Sequence, residues 1–259
     1  METTAKEYLQ LKNKLNSLGL FQIEMNLDQL LETVRTKEVS LITALNRVMD
    51  AELQVKEVKK HDRLIKMAGF PYEKTFDEFD FSFQPNLDRE KILGLRDLRF
   101  IENHENILFI GSPGVGKTHL SVALGMECIN NDKSTYFIHC SELIEQLSQA
   151  ARENKLEGRL RTLNRYSVLI IDEVGFIPFT QEGANLLFQL ISRRYEKKSL
   201  IITTNKPLSQ WGEMFGDAAL ANALLDRLLH HANVIKIAGR SYRTRALVSE
   251  LEERRTEIE

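Results

Sequence analysis

The sequence predicts an α/β protein with a parallel five-stranded sheet flanked by helices, preceded by a small all-helical N-terminal domain. From about residue 90, short apolar runs alternate with helical stretches, as expected for strands that are buried on both faces of a parallel sheet. Residues 1 to about 68 contain one glycine and no proline, and their apolar residues recur at helical spacing. We therefore expect a helical domain over 1–68, a connector over 69–89 and an α/β domain over 90–259.

Composition limits the function classes. The 259 residues are 42% hydrophobic and 28% charged, which is typical of a globular protein, and the formal net charge of −2 excludes a globally basic nucleic-acid binder but permits a local basic patch. Cys128 and Cys140 are too few for a disulfide scaffold and lack metal-ligand spacing. A polar N-terminus and the lack of a long apolar run predict a cytoplasmic protein that does not enter a membrane.

The helical block shows apolar faces that end in a basic tail. The apolar positions fall in three groups, Leu9, Leu11, Leu15, Leu18 and Leu20, then Leu27, Leu30, Leu31 and Val34, then Leu41, Leu45, Val48, Met49, Leu53 and Val55. The tail carries Lys56, Lys59, Lys60 and Arg63. Two interpretations stay open: a helix that binds a phosphate backbone, or an ordinary solvated helix face.

The connector begins where Pro71 ends the helical block. Its alternating aromatic residues, Phe76, Phe79, Phe81 and Phe83, predict an extended strand that docks on an apolar surface. Core packing is the first interpretation of these rings, and a ring beside a bound base is the alternative.

Five apolar runs predict the strands of the sheet, at 107–110, 135–138, 168–171, 200–203 and 234–237. A phosphate-binding motif follows the first of them directly and precedes a helical stretch. It consists of Gly111, Ser112, Pro113, Gly114, Val115, Gly116, Lys117 and Thr118, and it fits G-x-x-x-x-G-K-[ST]. Its backbone N–H groups would surround the phosphates of a nucleotide, Lys117 would bind the β- and γ-phosphates, and Thr118 would ligate Mg²⁺. The motif alone does not separate a kinase, a GTPase and a motor.

Polar residues follow two later strands. Asp172 and Glu173 end an apolar strand, where Asp172 would hold Mg²⁺ and Glu173 would activate the attacking water; a helix-capping acid pair is the alternative. Asn205 follows the next strand and could orient that water, although an asparagine that starts a turn before Pro207 explains it too. Arg227 lies on a later helix and could act as an arginine finger, or form an ion pair with Asp226 or another nearby acid.

These motifs, in this order, resemble the IstB family of AAA+ helper ATPases from bacterial insertion sequences, which are related to the helicase loader DnaC and the initiator DnaA. The residues that carry the resemblance are 111–118, 171–175, 203–205, 226–228 and 241–243, with the Phe-rich run 76–81. The resemblance implies an ATP-driven homo-oligomer that assembles on double-stranded DNA, remodels it and recruits or activates a transposase. It also implies that Arg227 acts in trans and that Arg243 senses the nucleotide; for Arg243, a surface base near a chain end is the alternative.

Two other functions share this chemistry. A DnaC-like helicase loader would differ only in its partner, and an ATP-gated DNA-architectural module would hydrolyse little ATP. Glu173 argues against the second, because a module that only binds ATP does not need a water-activating carboxylate.

Basic residues between the second and third strands are candidate DNA contacts. Two helical stretches are expected, at 141–151 and 154–165, and the resemblance to initiators implies a helix here that lines the DNA path. The candidates are Arg152, Lys155, Arg159 and Arg161. They would contact phosphates without reading sequence, or would simply form a solvated helix face.

The chain closes soon after Arg243 with a charged segment, 250–259. We therefore expect the helical lid of AAA+ proteins to be absent or minimal, and the connector or a neighbouring subunit to help close the nucleotide site.

Overall fold

The computed structural model describes residues 2–36 and 39–244, and the side chains from residue 5 onward in the first of these ranges. The chain divides into two compact units, Met1–Arg63 and Leu64–Glu259. The limits 1–68, 69–89 and 90–259 drawn from the sequence stay a prediction.

The first unit is helical, as predicted. Its helices are α1 (Glu2–Ser17), α2 (Phe21–Met25), α3 (Leu27–Arg35) and most of α4 (Leu41–Ala68). A small core buries Leu15, Ile23, Leu27, Leu30 and Ala44. Much of the predicted first apolar face is not in this core, because Leu9, Leu11 and Leu18 are exposed.

A buried carboxylate joins two helices of this unit. Glu52 of α4 accepts hydrogen bonds from the backbone N–H groups of Gln22 and Ile23, at 2.7 and 3.3 Å. These N–H groups at the start of α2 have no partner within the helix, and a carboxylate there satisfies both the hydrogen bonds and the helix dipole.

The second unit alternates strands and helices. Its strands are β1 (Asn106–Gly111), β2 (Thr135–His139), β3 (Val168–Val174), β4 (Ser199–Thr204) and β5 (Ala232–Ile237). Its helices are α5 (Arg89–Gly94), α6 (Arg99–Glu102), α7 (Lys117–Asn130), α8 (Cys140–Arg152), α9 (Leu156–Leu163), α10 (Gln181–Arg194), α11 (Trp211–Phe215) and α12 (Ala218–Leu229).

The five strands form one parallel sheet in the order β2-β3-β4-β1-β5. All five predicted strands are confirmed, and the structure extends each at one or both ends. Side chains alternate between two cores: Ile107 and Phe109 of β1 pack into one, and Leu108 packs into the other. The period of two gives both faces of the sheet an apolar surface, which the helices cover. This is the predicted α/β architecture, a parallel five-stranded sheet flanked by helices.

The prediction of an extended strand in the connector is wrong. No extended strand forms over the Phe-rich run; a 3₁₀-helix spans Phe81–Phe83, and the Asp80 carboxylate accepts a hydrogen bond from the Phe83 N–H. The aspartate therefore turns the chain where the alternating aromatics suggested an extended backbone. The expected docking on an apolar surface does occur, since Phe76 and Phe79 are buried in the core that also holds Ile107 and Phe109.

Two helices connect β2 and β3, as predicted, namely α8 and α9. Between β5 and residue 244 the only regular element is a 3₁₀-helix, Tyr242–Thr244; the charged segment 250–259 lies outside the described residues. None of the helices in the described ranges combines the length and the apolar character needed to cross a membrane.

Candidate functional site

The phosphate-binding motif forms the loop between β1 and α7. Gly114 and Gly116 have φ angles of 80° and 99°, in the left-handed region that side chains disfavour. A Cβ atom at Gly114 would collide with the side chain of Ser241, and one at Gly116 would lie 2.5 Å from the Phe79 ring. The two glycines are therefore required both by the turn and by the close approach of neighbouring segments.

Lys117 begins α7 and is mostly buried. Its Nζ donates to the carbonyl oxygens of Gly111 and Ser112, each at 2.8 Å. Burial lowers the pKa of this ammonium, while the carboxylates of Asp172 and Glu173 act in the opposite direction. The ammonium is thus held beside the loop by two carbonyl oxygens, and phosphate oxygens can replace them as hydrogen-bond acceptors.

Asp172 is buried at the carboxyl end of β3 and is joined to the loop by Thr118. The Thr118 hydroxyl lies 3.0 and 3.1 Å from the two carboxylate oxygens of Asp172. The Thr203 hydroxyl of β4 donates to Asp172 at 2.6 Å and accepts from the Glu173 N–H at 2.9 Å. These bonds satisfy a carboxylate that would otherwise be costly to bury.

Glu173 differs from its neighbour in exposure. Its φ is 60°, and the pairing of β3 with β4 shifts register between Ile171 and Val174. Asp172 is 1% exposed, whereas the Glu173 side chain is 48% exposed and lines a cavity.

The cavity has a volume of about 470 Å³ and lies against the phosphate loop. It brings together residues 113–118 of the loop with Glu173, Asn205 and Arg243. The carboxamide oxygen of Asn205 is buried, and within the described residues it has no hydrogen-bond partner. An unpaired buried acceptor beside the phosphate loop indicates a group that a ligand or water satisfies.

Aromatic side chains line another wall of the cavity. Phe79, Phe83 and Tyr242 contribute to it, and the rings of Phe83 and Tyr242 meet edge-to-face at 5.1 Å. Phe79 thus belongs to the core and to the cavity wall at once, so the two interpretations of the Phe-rich run do not exclude each other.

The segment after β5 is tied to the phosphate loop. The Tyr242 N–H donates to the Gly114 carbonyl at 2.9 Å, and the Gln84 side chain donates to the Arg240 carbonyl at 3.1 Å. These two bonds place Arg243 beside the cavity. Gln84 was not identified from the sequence because it belongs to no motif, and Tyr242 was named there only as part of the motif 241–243, without a role of its own.

His139 is a further residue that the motifs did not indicate. It ends β2 and pairs in register with Asp172. Its Nδ1 lies 3.5 Å from an Asp172 oxygen and 4.0 Å from a Glu173 oxygen, is buried, and has no hydrogen-bond partner in the described part of the chain. The signal for it was its position, since the carboxyl ends of neighbouring parallel strands meet at one edge of the sheet.

Arg227 does not line the cavity of its own chain. It lies on α12, where its Nη1 donates to the Ser192 hydroxyl of α10 at 2.7 Å and its guanidinium stacks 4.4 Å from the centre of the Phe188 ring. The contacts that the structure gives Arg227 are with α10 and not with Asp226.

The candidate DNA-contacting residues lie in both units, and each group is described by itself. In the first unit Lys56, Lys59, Lys60 and Arg63 are all exposed on α4. In the second unit Arg152, Lys155 and Arg161 are exposed. Arg159 is half-buried and donates to Gln146.

Two of the basic residues in the second unit already have acidic partners. Lys155 pairs with Glu153 at 2.7 Å, and Arg161 lies 3.9 Å from Glu157. Exposed ion pairs of this kind are screened by solvent and contribute little to stability, so phosphates can replace the acids.

Comparison with known proteins supplies the remaining evidence. The sequence model of the family described as IstB-like ATP binding protein matches residues 13–249. The "Insertion sequence IS232 putative ATP-binding protein" of Bacillus thuringiensis subsp. berliner is 45% identical over 236 residues, which cover 91% of this chain and 94% of that one. The "Insertion sequence IS5376 putative ATP-binding protein" of Geobacillus stearothermophilus is 46% identical over 214 residues, 83% and 85% of the two chains.

A solved structure shares the fold. AMPPCP-bound DnaA from Aquifex aeolicus superimposes with a TM-score of 0.56 at 17% identity, over 71% of this chain and 56% of DnaA. At that identity the likeness shows a common fold and nothing finer.

Proposed function

Because the chain belongs to the family of IstB-like ATP-binding proteins, we propose that it hydrolyses ATP as an AAA+ oligomer on duplex DNA and serves the transposase of an insertion sequence. The observation that carries the proposal is the convergence of Lys117, Glu173 and Asn205 on one cavity beside the phosphate loop. A phosphate-binding loop with a cavity-facing carboxylate is suited to in-line attack of water on a terminal phosphate.

Nucleotide binding uses the loop. The left-handed glycines let the loop turn while Ser241 and Phe79 pack closely against it, and the N-terminus of α7 adds its partial positive charge. Lys117 would exchange its two carbonyl partners for the β- and γ-phosphates. The aromatic wall of Phe83 and Tyr242 offers flat apolar surface for the base.

The oxygen donors at this site fit Mg²⁺, which prefers hydroxyl, carboxylate and phosphate oxygens. Thr118 and Asp172 would hold the ion directly or through its water shell, and the ion would neutralise charge on the transferred phosphoryl group. Arg243 would add a second positive charge beside the nucleotide.

Water activation uses the acid that stays exposed to the cavity. Glu173 would accept the proton of the attacking water, and the Asn205 carboxamide would orient that water. His139 would act as a positioning residue, since its Nδ1 faces both acids and has no hydrogen-bond partner in the described residues.

The proposal that several copies of the chain assemble is based on the position of Arg227. The wall of the cavity has no contribution from Arg227, so an arginine finger would come from a second copy of the chain. Oligomerisation would also align the basic residues of several copies, which suits a chain whose net charge is only −2. The DNA contacts would be to phosphates, and binding would be strongly salt-dependent.

The proposal of a transposase partner is based on the names of related proteins. Proteins that are 45% and 46% identical over most of both chains carry the names of insertion sequences, and this favours a transposition helper over a helicase loader.

The test is ATP turnover measured against protein concentration, with and without random-sequence duplex DNA. The proposal expects turnover that rises more than linearly with concentration, rises further with DNA, and disappears in Lys117→Ala. Turnover that stays linear in protein and ignores DNA, or that persists in Lys117→Ala, would reject it.

A further inference from the structure

A cluster of three metal-ligating side chains lies at the end of the sheet opposite the phosphate loop. Among the residues that the structure describes, Glu196, His230 and His231 form a group in which one ligand atom of each lies within 4.8 Å of the other two. Glu196 follows α10, and the two histidines follow α12. The cluster is separated from the phosphate loop by the length of β1, about 20 Å for six residues.

The spacing of these atoms fits a small transition-metal ion. The Glu196 Oε1 lies 3.6 Å from the His230 Nδ1 and 3.5 Å from the His231 Nε2. Zinc binds imidazole nitrogen and carboxylate oxygen at about 2.1 Å, so two ligands of a tetrahedral ion stand about 3.4 Å apart. The carboxylate is thus already at the ligand-to-ligand distance from both imidazoles.

The backbone of the cluster is held in place on both sides. The His230 N–H donates to the Asp226 carbonyl at 3.1 Å, and the His231 carbonyl accepts from the Asn106 N–H of β1 at 2.8 Å. Fixed backbone lowers the ordering cost of ligand binding.

Tyr195 borders the cluster. Its hydroxyl lies 2.7 Å from the His230 Nδ1. The phenol and a bound metal ion would therefore compete for this nitrogen, so loss of the hydroxyl should not weaken metal binding.

We propose that Glu196, His230 and His231 bind one divalent transition-metal ion, Zn²⁺ by preference, with water in the open coordination position. Mg²⁺ is not the expected occupant, because two of the three donors are imidazole nitrogens. The ion would link the ends of α10 and α12, the two helices that meet at Ser192 and Arg227.

The test is titration of the full chain with Zn²⁺ in the presence of excess Mg²⁺, by calorimetry. We expect one site, and a drop in affinity of roughly 10–100-fold or more in Glu196→Gln and in His231→Ala, since even the loss of an outer hydrogen-bond partner of a metal ligand has an effect of that size. Tyr195→Phe should bind at least as tightly as the parent chain, because the phenol competes for Nδ1. His104→Ala, an exposed histidine outside the cluster, is the matched control and should not change binding.

Two further readouts make the outcome decisive. Co²⁺ in place of Zn²⁺ should give the intense visible absorption of a four-coordinate site, and Zn²⁺ should raise the Tm of the parent chain but not that of Glu196→Gln. The thiols do not compete, because burial raises the pKa of Cys128 and Cys140 to about 12. Absence of a stoichiometric site, or equal binding by Glu196→Gln and the parent chain, would overturn the proposal.

Discussion

The Thr118 hydroxyl reaches both carboxylate oxygens of Asp172, at 3.0 and 3.1 Å, and so joins the start of α7 to the end of β3. The two residues are 54 positions apart in the chain, and each belongs to a different motif. Their contact brings the phosphate-binding motif and the acid pair together, and their oxygen atoms line one corner of the site beside the ammonium of Lys117.

The first prediction concerns this corner. Thr118→Val keeps the shape of the side chain but removes the hydroxyl, so ATP affinity in Mg²⁺ should fall roughly 10–100-fold. Thr118→Ser restores the hydroxyl and should bind as the parent chain does. Affinity is measured by titration with a fluorescent ATP analogue, with Mg²⁺ and with a chelator. If Thr118→Val loses the same affinity under both conditions, Thr118 does not act through the metal.

The second prediction concerns the exposed acid. Glu173→Gln should bind ATP within a few-fold of the parent chain but turn it over roughly 10²–10⁴ times more slowly, because the amide cannot accept the proton of water. Oligomers of this variant should persist in ATP. Glu182→Gln changes an exposed acid at the start of α10 and should leave turnover unchanged. Normal turnover in Glu173→Gln would refute its role as the base.

The third prediction concerns Arg227. Arg227→Ala should keep nucleotide binding and lose roughly 10³-fold in turnover, as expected when an arginine finger is removed. Arg99→Ala, which alters an exposed arginine paired with Asp97, is the control.

Mixing variants separates a finger in trans from a packing role on Phe188. Arg227→Ala offers an intact site and Lys117→Ala an intact finger, so a mixture of these two inactive proteins should recover part of the activity. A mixture that stays inactive while it still forms mixed oligomers would contradict action in trans.

The fourth prediction concerns pH. His119 donates its Nε2–H to the Thr75 carbonyl at 2.9 Å, and burial lowers the pKa of this imidazole below 6.5. The unfolded chain therefore takes up the proton at higher pH than the folded chain, and the free energy of unfolding should fall as pH drops below about 6.5.

The His119 contribution can be isolated by substitution. The contribution of His119 to the slope of the unfolding free energy against pH cannot exceed about 1.4 kcal/mol per pH unit. Solvent screening of the half-buried ring makes this contribution smaller. Urea unfolding at pH values between roughly 7.5 and 5 should show a shallower pH dependence for His119→Gln than for the parent chain. Parallel curves for the two proteins would show that His119 does not titrate between the folded and unfolded states.

The sheet was predictable because its strands are short apolar runs with buried side chains on both faces. The phosphate loop and the acid pair were predictable as well, because each is a local pattern. Their roles in catalysis remain predictions.

Other parts of the site depend on chain segments that meet only in the folded protein. His139 faces Asp172 because β2 and β3 are neighbours, and Tyr242 reaches Gly114 from the end of the chain. The Phe-rich run was predicted as a strand because alternation alone does not reveal a turn made by Asp80. Leu9, Leu11 and Leu18 have helical spacing but are exposed. Periodicity predicts an apolar helix face, but it does not predict whether another part of the protein covers that face.

The most direct test of the central claim is electron microscopy of this 259-residue chain with duplex DNA, in ATP and in ADP, with Glu173→Gln used to slow turnover. The account predicts closed or helical assemblies on DNA in ATP, few or none in ADP, and none in Lys117→Ala. Single copies of the chain on DNA in both nucleotides, or equal assemblies in ATP and ADP, would contradict an ATP-controlled oligomer.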